Sequence, residues 1–112
     1  AALADVEATT RLPAMRAHRE VLRAALAWFD GERASAERRL TSAESLARTF
    51  GLPWVSFAAA RVRAHMLREQ GNLDAALDQA RVAALHAKQY GMKAQLQLIS
   101  EELGVQSEGA TL

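Results

Sequence analysis

A 40-residue repeat punctuated by glycine is the feature that most restricts how this 112-residue chain can fold. A shift of 40 residues aligns identical residues at points where helices can begin and end. The aligned pairs are Pro13 with Pro53, Gly31 with Gly71, and Gly51 with Gly91. Proline is tolerated in the first turn of a helix, and glycine readily adopts the left-handed conformation that ends one. A period of roughly 20–50 residues with such punctuation is typical of a helical solenoid.

The composition favours helices over strands. Alanine supplies 25 residues, leucine 15 and arginine 12, against six valines and one isoleucine. The first three are among the best helix formers, whereas strands favour the β-branched and aromatic residues that are scarce here. We therefore expect an all-α protein whose small side chains let helices approach closely.

Charge and cysteine content exclude several classes of function. The formal net charge is +1, from 14 basic and 13 acidic residues, so there is no overall charge excess for nucleic acid or an acidic membrane. The chain has no cysteine and no run of about 20 apolar residues that would span a membrane. We expect a cytoplasmic chain with no membrane contact, no cofactor and no metal.

The apolar pattern predicts helices near residues 2–11, 13–30, 32–50, 53–70, 72–90 and 92–103. The second helix of each pair carries a stripe of mostly small residues, which are Ala36, Leu40, Ala43 and Ala47 in one pair and Ala76, Ala80, Ala83 and Ala87 in the other. We expect one domain, residues 1–112, with helix pairs 12–51 and 52–91, flanking helices 1–11 and 92–104, and a tail over 105–112. This arrangement predicts a section of a longer superhelix, or a short one closed by its end helices.

These residues resemble the tetratricopeptide repeat. Segment 70–77, Gln-Gly-Asn-Leu-Asp-Ala-Ala-Leu, is similar to the turn between the two helices of that family's unit, and four small-residue positions match in both units. They are Ala24, Gly31, Ala36 and Ala43 in the first unit and Ala64, Gly71, Ala76 and Ala83 in the second. The resemblance covers residues 12–103 and implies a right-handed α-solenoid of antiparallel helix pairs.

Two features depart from the standard repeat. The usual unit has about 34 residues rather than 40, and Arg23 and Arg63 stand where the family usually has leucine. The longer unit is more similar to the sensor solenoids of large bacterial regulators of the maltose-activator type.

The resemblance also implies a binding groove, because the first helix of each pair lines the concave side in this family. The implied lining residues are His18, Val21, Trp28 and Phe29 in the first unit and Arg61, His65 and Arg68 in the second. Such a groove suits an acidic or amphipathic peptide, or a small polar ligand stacked on Trp28. In the alternative interpretation, Arg61 and Arg68 form a solvated face and Trp28 belongs to the core.

The remaining motifs favour structural roles. His65 and Glu69, one helical turn apart, suit a surface ion pair, because a metal site needs a third ligand nearby. No serine lies in a Gly-x-Ser-x-Gly turn, and the chain has neither a glycine-rich phosphate loop nor a cysteine nucleophile. We therefore expect no catalysis.

Segment 99–105 resembles the first helix and turn of a helix–turn–helix. Residues 107–112 contain no lysine or arginine, however, so they lack the charge that binds phosphate. We therefore expect an end-capping helix that stops at Gly104, and DNA binding is the least favoured alternative.

The sequence thus predicts a non-catalytic interaction or sensor module of a larger cytoplasmic bacterial regulatory protein. Its expected partner is a protein segment or peptide, or a small ligand, held in the groove. The second hypothesis is homodimerisation through the exposed ends of the solenoid.

Overall fold

A computed structural model of the protein describes the backbone of residues 2–104 and the side chains of residues 12–104. Within these residues the helices are α1 Ala2–Phe29, α2 Arg33–Phe50, α3 Pro53–Glu69, α4 Leu73–Gln89 and α5 Lys93–Leu103. The chain divides into two compact units, residues 1–55 and 56–112. The first contains α1 and α2, and the second contains most of α3 with α4 and α5. The all-α prediction is confirmed for the described part of the chain.

The turns at Gly31 and Gly71 are equivalent, as the repeat predicts. Their φ angles are +80° and +81°, in the left-handed region that favours glycine. After each glycine, the next N–H donates to the carbonyl five residues back. The donor–acceptor pairs are Glu32 to Ala27 at 2.8 Å and Asn72 to Leu67 at 2.9 Å. This bond, with a second from the glycine N–H, satisfies carbonyls that the helix end would otherwise leave unpaired.

The start of α1 differs from the prediction. The sequence predicts a flanking helix over 1–11 and a separate helix beginning at Pro13, whereas α1 is one helix, Ala2–Phe29, with Pro13 inside it. Proline has no N–H to donate to the preceding turn. The segment before it, Ala-Thr-Thr-Arg-Leu, contains no glycine to end a helix, unlike the other helix ends. The predicted tail over 105–112 lies outside the described residues.

In the first unit, α1 packs against α2 through small side chains. The buried residues recur every three or four positions, so they form one face of each helix. They are Ala17, Val21, Ala24 and Ala27 on α1 and Ala36, Leu40, Ala43 and Ala47 on α2. The predicted stripe of α2 is therefore confirmed as its buried face.

In the second unit, α3 and α5 pack against the alanine-rich face of α4. The core residues that α4 supplies are Ala80, Ala83, Ala84 and Ala87. Larger side chains meet them from the neighbouring helices, Phe57 from α3 and Ile99 from α5. The predicted stripe of α4 is also confirmed as buried. None of the helices in the described range combines the length and apolar character that a bilayer crossing requires.

We predict that Gly71→Ala lowers the free energy of unfolding by about 1–2 kcal/mol, because an L-residue is strained at this φ. A Cβ at Gly71 would meet no atom within 4 Å, so the backbone alone accounts for the loss. Urea denaturation measures it, and Gly31→Ala, which shares the turn geometry and the open space, should show a similar loss. A neutral Gly71→Ala would contradict the turn geometry.

We also predict that Ala83→Leu overpacks the second unit and costs about 1–3 kcal/mol of unfolding free energy. Ala83 is fully buried, whereas Ala94 on α5 is exposed and provides the matched control Ala94→Leu. Thermal unfolding followed by circular dichroism compares the two. Equal melting temperatures would show that the core around Ala83 has room for a larger side chain.

Candidate functional site

The three predicted cationic residues of α3 lie on one helical face in the second unit. Arg61, His65 and Arg68 follow the spacing i, i+4, i+7, and all three form hydrogen bonds to Glu102 of α5. We call these four residues the Glu102 clamp. The sequence placed the cations together, but it contained no signal that Glu102, 34 or more residues away in the chain, is their partner.

Arg61 and His65 bind the Glu102 carboxylate directly. The Arg61 guanidinium donates from Nε to Oε2 at 3.1 Å and from Nη2 to Oε1 at 2.6 Å. This is the bidentate geometry that arginine favours for carboxylates. His65 Nε2 lies 2.7 Å from Oε2. The Glu102 side chain is only 21% exposed, so these contacts are partly shielded from water.

Arg68 completes the clamp at the end of α5. Its Nη1 donates to the backbone carbonyl of Glu102 at 2.9 Å, and this carbonyl lies in the last turn, where the helix itself provides no partner. Its Nη2 lies 3.1 Å from His65 Nδ1. Because arginine only donates, a neutral His65 that accepts this bond at Nδ1 carries its proton on Nε2, toward Glu102.

The sequence predicted an ion pair between His65 and Glu69, and the structure places the His65 ring against the Glu102 carboxylate of α5. Both ring nitrogens of His65 face other groups, Glu102 on one side and Arg68 on the other.

Opposing effects set the pKa of Glu102. Burial raises the pKa, whereas the hydrogen bonds from Arg61 and His65, together with their charges, lower it. The lowering effects prevail, so the pKa of Glu102 lies below its ordinary value of 4.5. Glu102 is therefore ionised at neutral pH and holds α5 against α3 within the second unit.

The predicted groove residues of the first unit lie in different surroundings. Val21 is buried in the seam between α1 and α2, so it is a core residue. Trp28 is half-buried, with the Arg33 guanidinium 5.0 Å from its ring centre in a cation–π contact. His18 is exposed, and Phe29 is 81% exposed.

Phe29 belongs to a larger exposed surface that the sequence analysis did not identify. Five large apolar side chains project from α1 at heptad-like spacing, and each is more than half exposed. They are Leu12, Met15, Leu22, Leu26 and Phe29. We call this set the outer stripe. Its signal was present in the sequence as steps of three, seven, four and three residues, but the same helix also carries the apolar face that packs against α2.

A groove of about 640 Å³ runs beside the outer stripe in the first unit. We call it the arginine groove, because Arg16, Arg19 and Arg23 of α1 line it. Its apolar lining comes from Leu12, Pro13 and Met15 of α1 with Leu46 and Phe50 of α2. Among the described residues that line it, Glu20 is the one acid, and the Glu20 carboxylate pairs with Arg39 of α2 at 3.4 Å.

Segment 99–103 forms the end of α5. Ile99 is fully buried in the core of the second unit, and α5 stops at Gly104, whose φ is +70°. The helix end at Gly104 is therefore as predicted, and the following residues of the helix–turn–helix hypothesis lie outside the described range.

Comparisons with protein-family models, with curated protein sequences and with solved structures find no significant match to this chain. In the part that the structure describes, no group of three histidine, aspartate or glutamate side chains is arranged to hold a metal ion.

We predict that Glu102→Gln lowers the free energy of unfolding at pH 7 by about 1–2 kcal/mol, because the clamp loses charge-assisted hydrogen bonds that solvent only partly screens. The lowered pKa of Glu102 means that its contribution is present above pH 4.5 and is lost as the pH falls through the folded-state value. The difference between the wild type and Glu102→Gln should therefore shrink below pH 4.5.

Urea denaturation at several pH values measures this difference. Glu101→Gln provides the matched control, since Glu101 is exposed and bonds to Gln97 on its own helix. A constant difference between wild type and Glu102→Gln down to pH 3 would contradict the role of the ionised carboxylate.

Proposed function

We propose that this chain is a non-catalytic helical interaction module that holds a partner helix along the outer stripe of α1. The observation that carries the proposal is the exposure of five large apolar side chains on one face, from 51% for Met15 to 81% for Phe29. Soluble proteins seldom leave so continuous an apolar surface uncovered unless it binds something.

The spacing of the outer stripe favours a helix as the partner. Side chains three, four and seven residues apart form the seam that one helix offers another, and their repetition over more than two heptads supports an extended contact. Burying a large apolar side chain contributes about 1.5–3 kcal/mol. Five such side chains, each more than half exposed, supply free energy of the same order as the cost of association.

The cationic face of α3 is already occupied by Glu102, so the proposed binding surface is the outer stripe of α1. A partner carboxylate at Arg61 and His65 would have to displace Glu102, whose bonds to them are as short as 2.6 Å and 2.7 Å. The outer stripe has no such competitor among the described side chains, because each of its members is exposed. Association at α1 therefore requires no internal contact to break.

The sequence supports a proposal for the type of solenoid and for the larger protein to which this module belongs. The resemblance to the tetratricopeptide repeat and the equivalent turns at Gly31 and Gly71 support a right-handed solenoid of that type. The 40-residue unit supports a place in a larger cytoplasmic bacterial regulator, where a helix-docking module would sense or transmit the binding of a partner.

A synthetic amphipathic peptide tests this function. It carries leucine at the heptad core positions, equal numbers of glutamate and lysine at the flanking positions, and a fluorescent label. We predict that the double change Leu22→Ser with Leu26→Ser weakens its binding more than tenfold, because two apolar anchors are lost. Fluorescence anisotropy measures the affinity.

The matched control is Leu73→Ser with Leu85→Ser, which removes two leucines of α4 that are similarly exposed, 64% and 63%. Both double variants should unfold at nearly the wild-type temperature, since exposed substitutions have small effects on stability. Equal loss of binding in the two variants, or no binding to the wild type, would refute the proposed surface.

A further inference from the structure

We propose that the partner on the outer stripe is an acidic amphipathic helix whose carboxylates lie in the arginine groove. This inference rests on the proposed function, because it assigns a charge to the helix that the outer stripe binds. The basis of the inference is that the outer stripe and the arginine groove adjoin along one edge of α1.

The two surfaces are continuous. Leu12 and Met15 belong to the outer stripe and also line the arginine groove. Arg19 occupies the heptad position between Met15 and Leu22, where the stripe lacks an apolar residue. A helix laid along the stripe therefore places its flanking side chains over Arg16 and Arg23, as flanking positions do in coiled coils, and includes Arg19 in the contact.

The spacing of the arginines suits acidic residues on a partner helix. Arg16 and Arg23 are seven residues apart, which is one heptad, and Arg19 lies between them. Glutamates on one edge of a partner helix repeat at the same interval, so each can reach an arginine. Arginine binds carboxylates through short charge-assisted hydrogen bonds. A docked helix would shield these bonds from water and thereby strengthen them.

The charge is not balanced among the described residues that line the groove. Three arginines face one glutamate, and the Glu20 carboxylate is already paired with Arg39 at 3.4 Å. A basic partner would therefore meet like charge, whereas an acidic one supplies the missing counter-charge. Such complementarity governs partner choice and the rate of association.

A second copy of this chain fits the same surface less well. Residues 12–29 of α1 contain three arginines and one glutamate, so a second α1 would bring three more arginines to the contact. The apolar stripe alone would suit self-association, but the flanking charges oppose it.

Two labelled peptides test the inference, with the same leucine positions but with glutamate in one and lysine in the other at every flanking position. We expect the glutamate peptide to bind the full chain at least tenfold more tightly at 50 mM NaCl, and the preference to diminish at 300 mM as salt screens the charges. The triple change Arg16→Glu, Arg19→Glu and Arg23→Glu should reverse the preference, and the corresponding change to glutamine should remove it.

The control is Arg38→Glu with Arg48→Glu, which reverses two exposed arginines of α2 outside the groove lining. It should keep the preference for the glutamate peptide. Circular dichroism checks that each variant retains its helix content, and the glutamine variant keeps the test decisive if the glutamate variant unfolds.

The outcomes separate this inference from the proposed function. If both peptides bind equally and the change of Leu22 and Leu26 to serine weakens both, the acidic partner is refuted while the outer stripe stands as a binding surface. If neither peptide binds, both proposals fail. If light scattering shows a dimer that the serine changes dissociate, a second copy is the occupant and the acidic partner is refuted.

Discussion

Close contact between alanine-lined helix faces is the constraint on which the described structure depends. Of the 21 buried apolar residues in the described range, 14 are alanine. An alanine seam brings helix axes close together, and the contacts that it makes have little room for a larger side chain. Leucine is common in this chain, yet only Leu40 is a fully buried leucine there, so most leucines lie at the borders of the seams or on outer faces.

This division of apolar residues links the fold to the proposed function. On α1, small residues such as Ala17 and Ala24 face α2, while Leu22 and Leu26 project from the same helix at more than 60% exposure. A helix with apolar residues on two faces has one face for its own fold and one for a neighbour. The partner helix would therefore bury the apolar face of α1 that the chain itself leaves exposed.

Electrostatics play different roles in the two units. In the second unit, Glu102 supplies an internal carboxylate to Arg61 and His65, and the alanine seam and the clamp together hold α5. In the first unit, the described residues that line the arginine groove include no comparable internal carboxylate, since Glu20 pairs with Arg39. A cationic face is a candidate for binding only where its counter-charge must come from elsewhere, and this criterion favours Arg16, Arg19 and Arg23 over the cations of α3.

The sequence alone determined the features that depend on short-range spacing. The glycine turns, the buried faces of α2 and α4, and the common face of Arg61, His65 and Arg68 follow from helical geometry and the conformational freedom of glycine. The sequence also contained the outer stripe, but periodicity does not reveal which apolar face of α1 becomes buried. Only the tertiary structure decided that Val21 belongs to the core and that Glu102 meets the cations of α3. Those outcomes depend on contacts between different helices, and side-chain spacing along one helix carries no information about them.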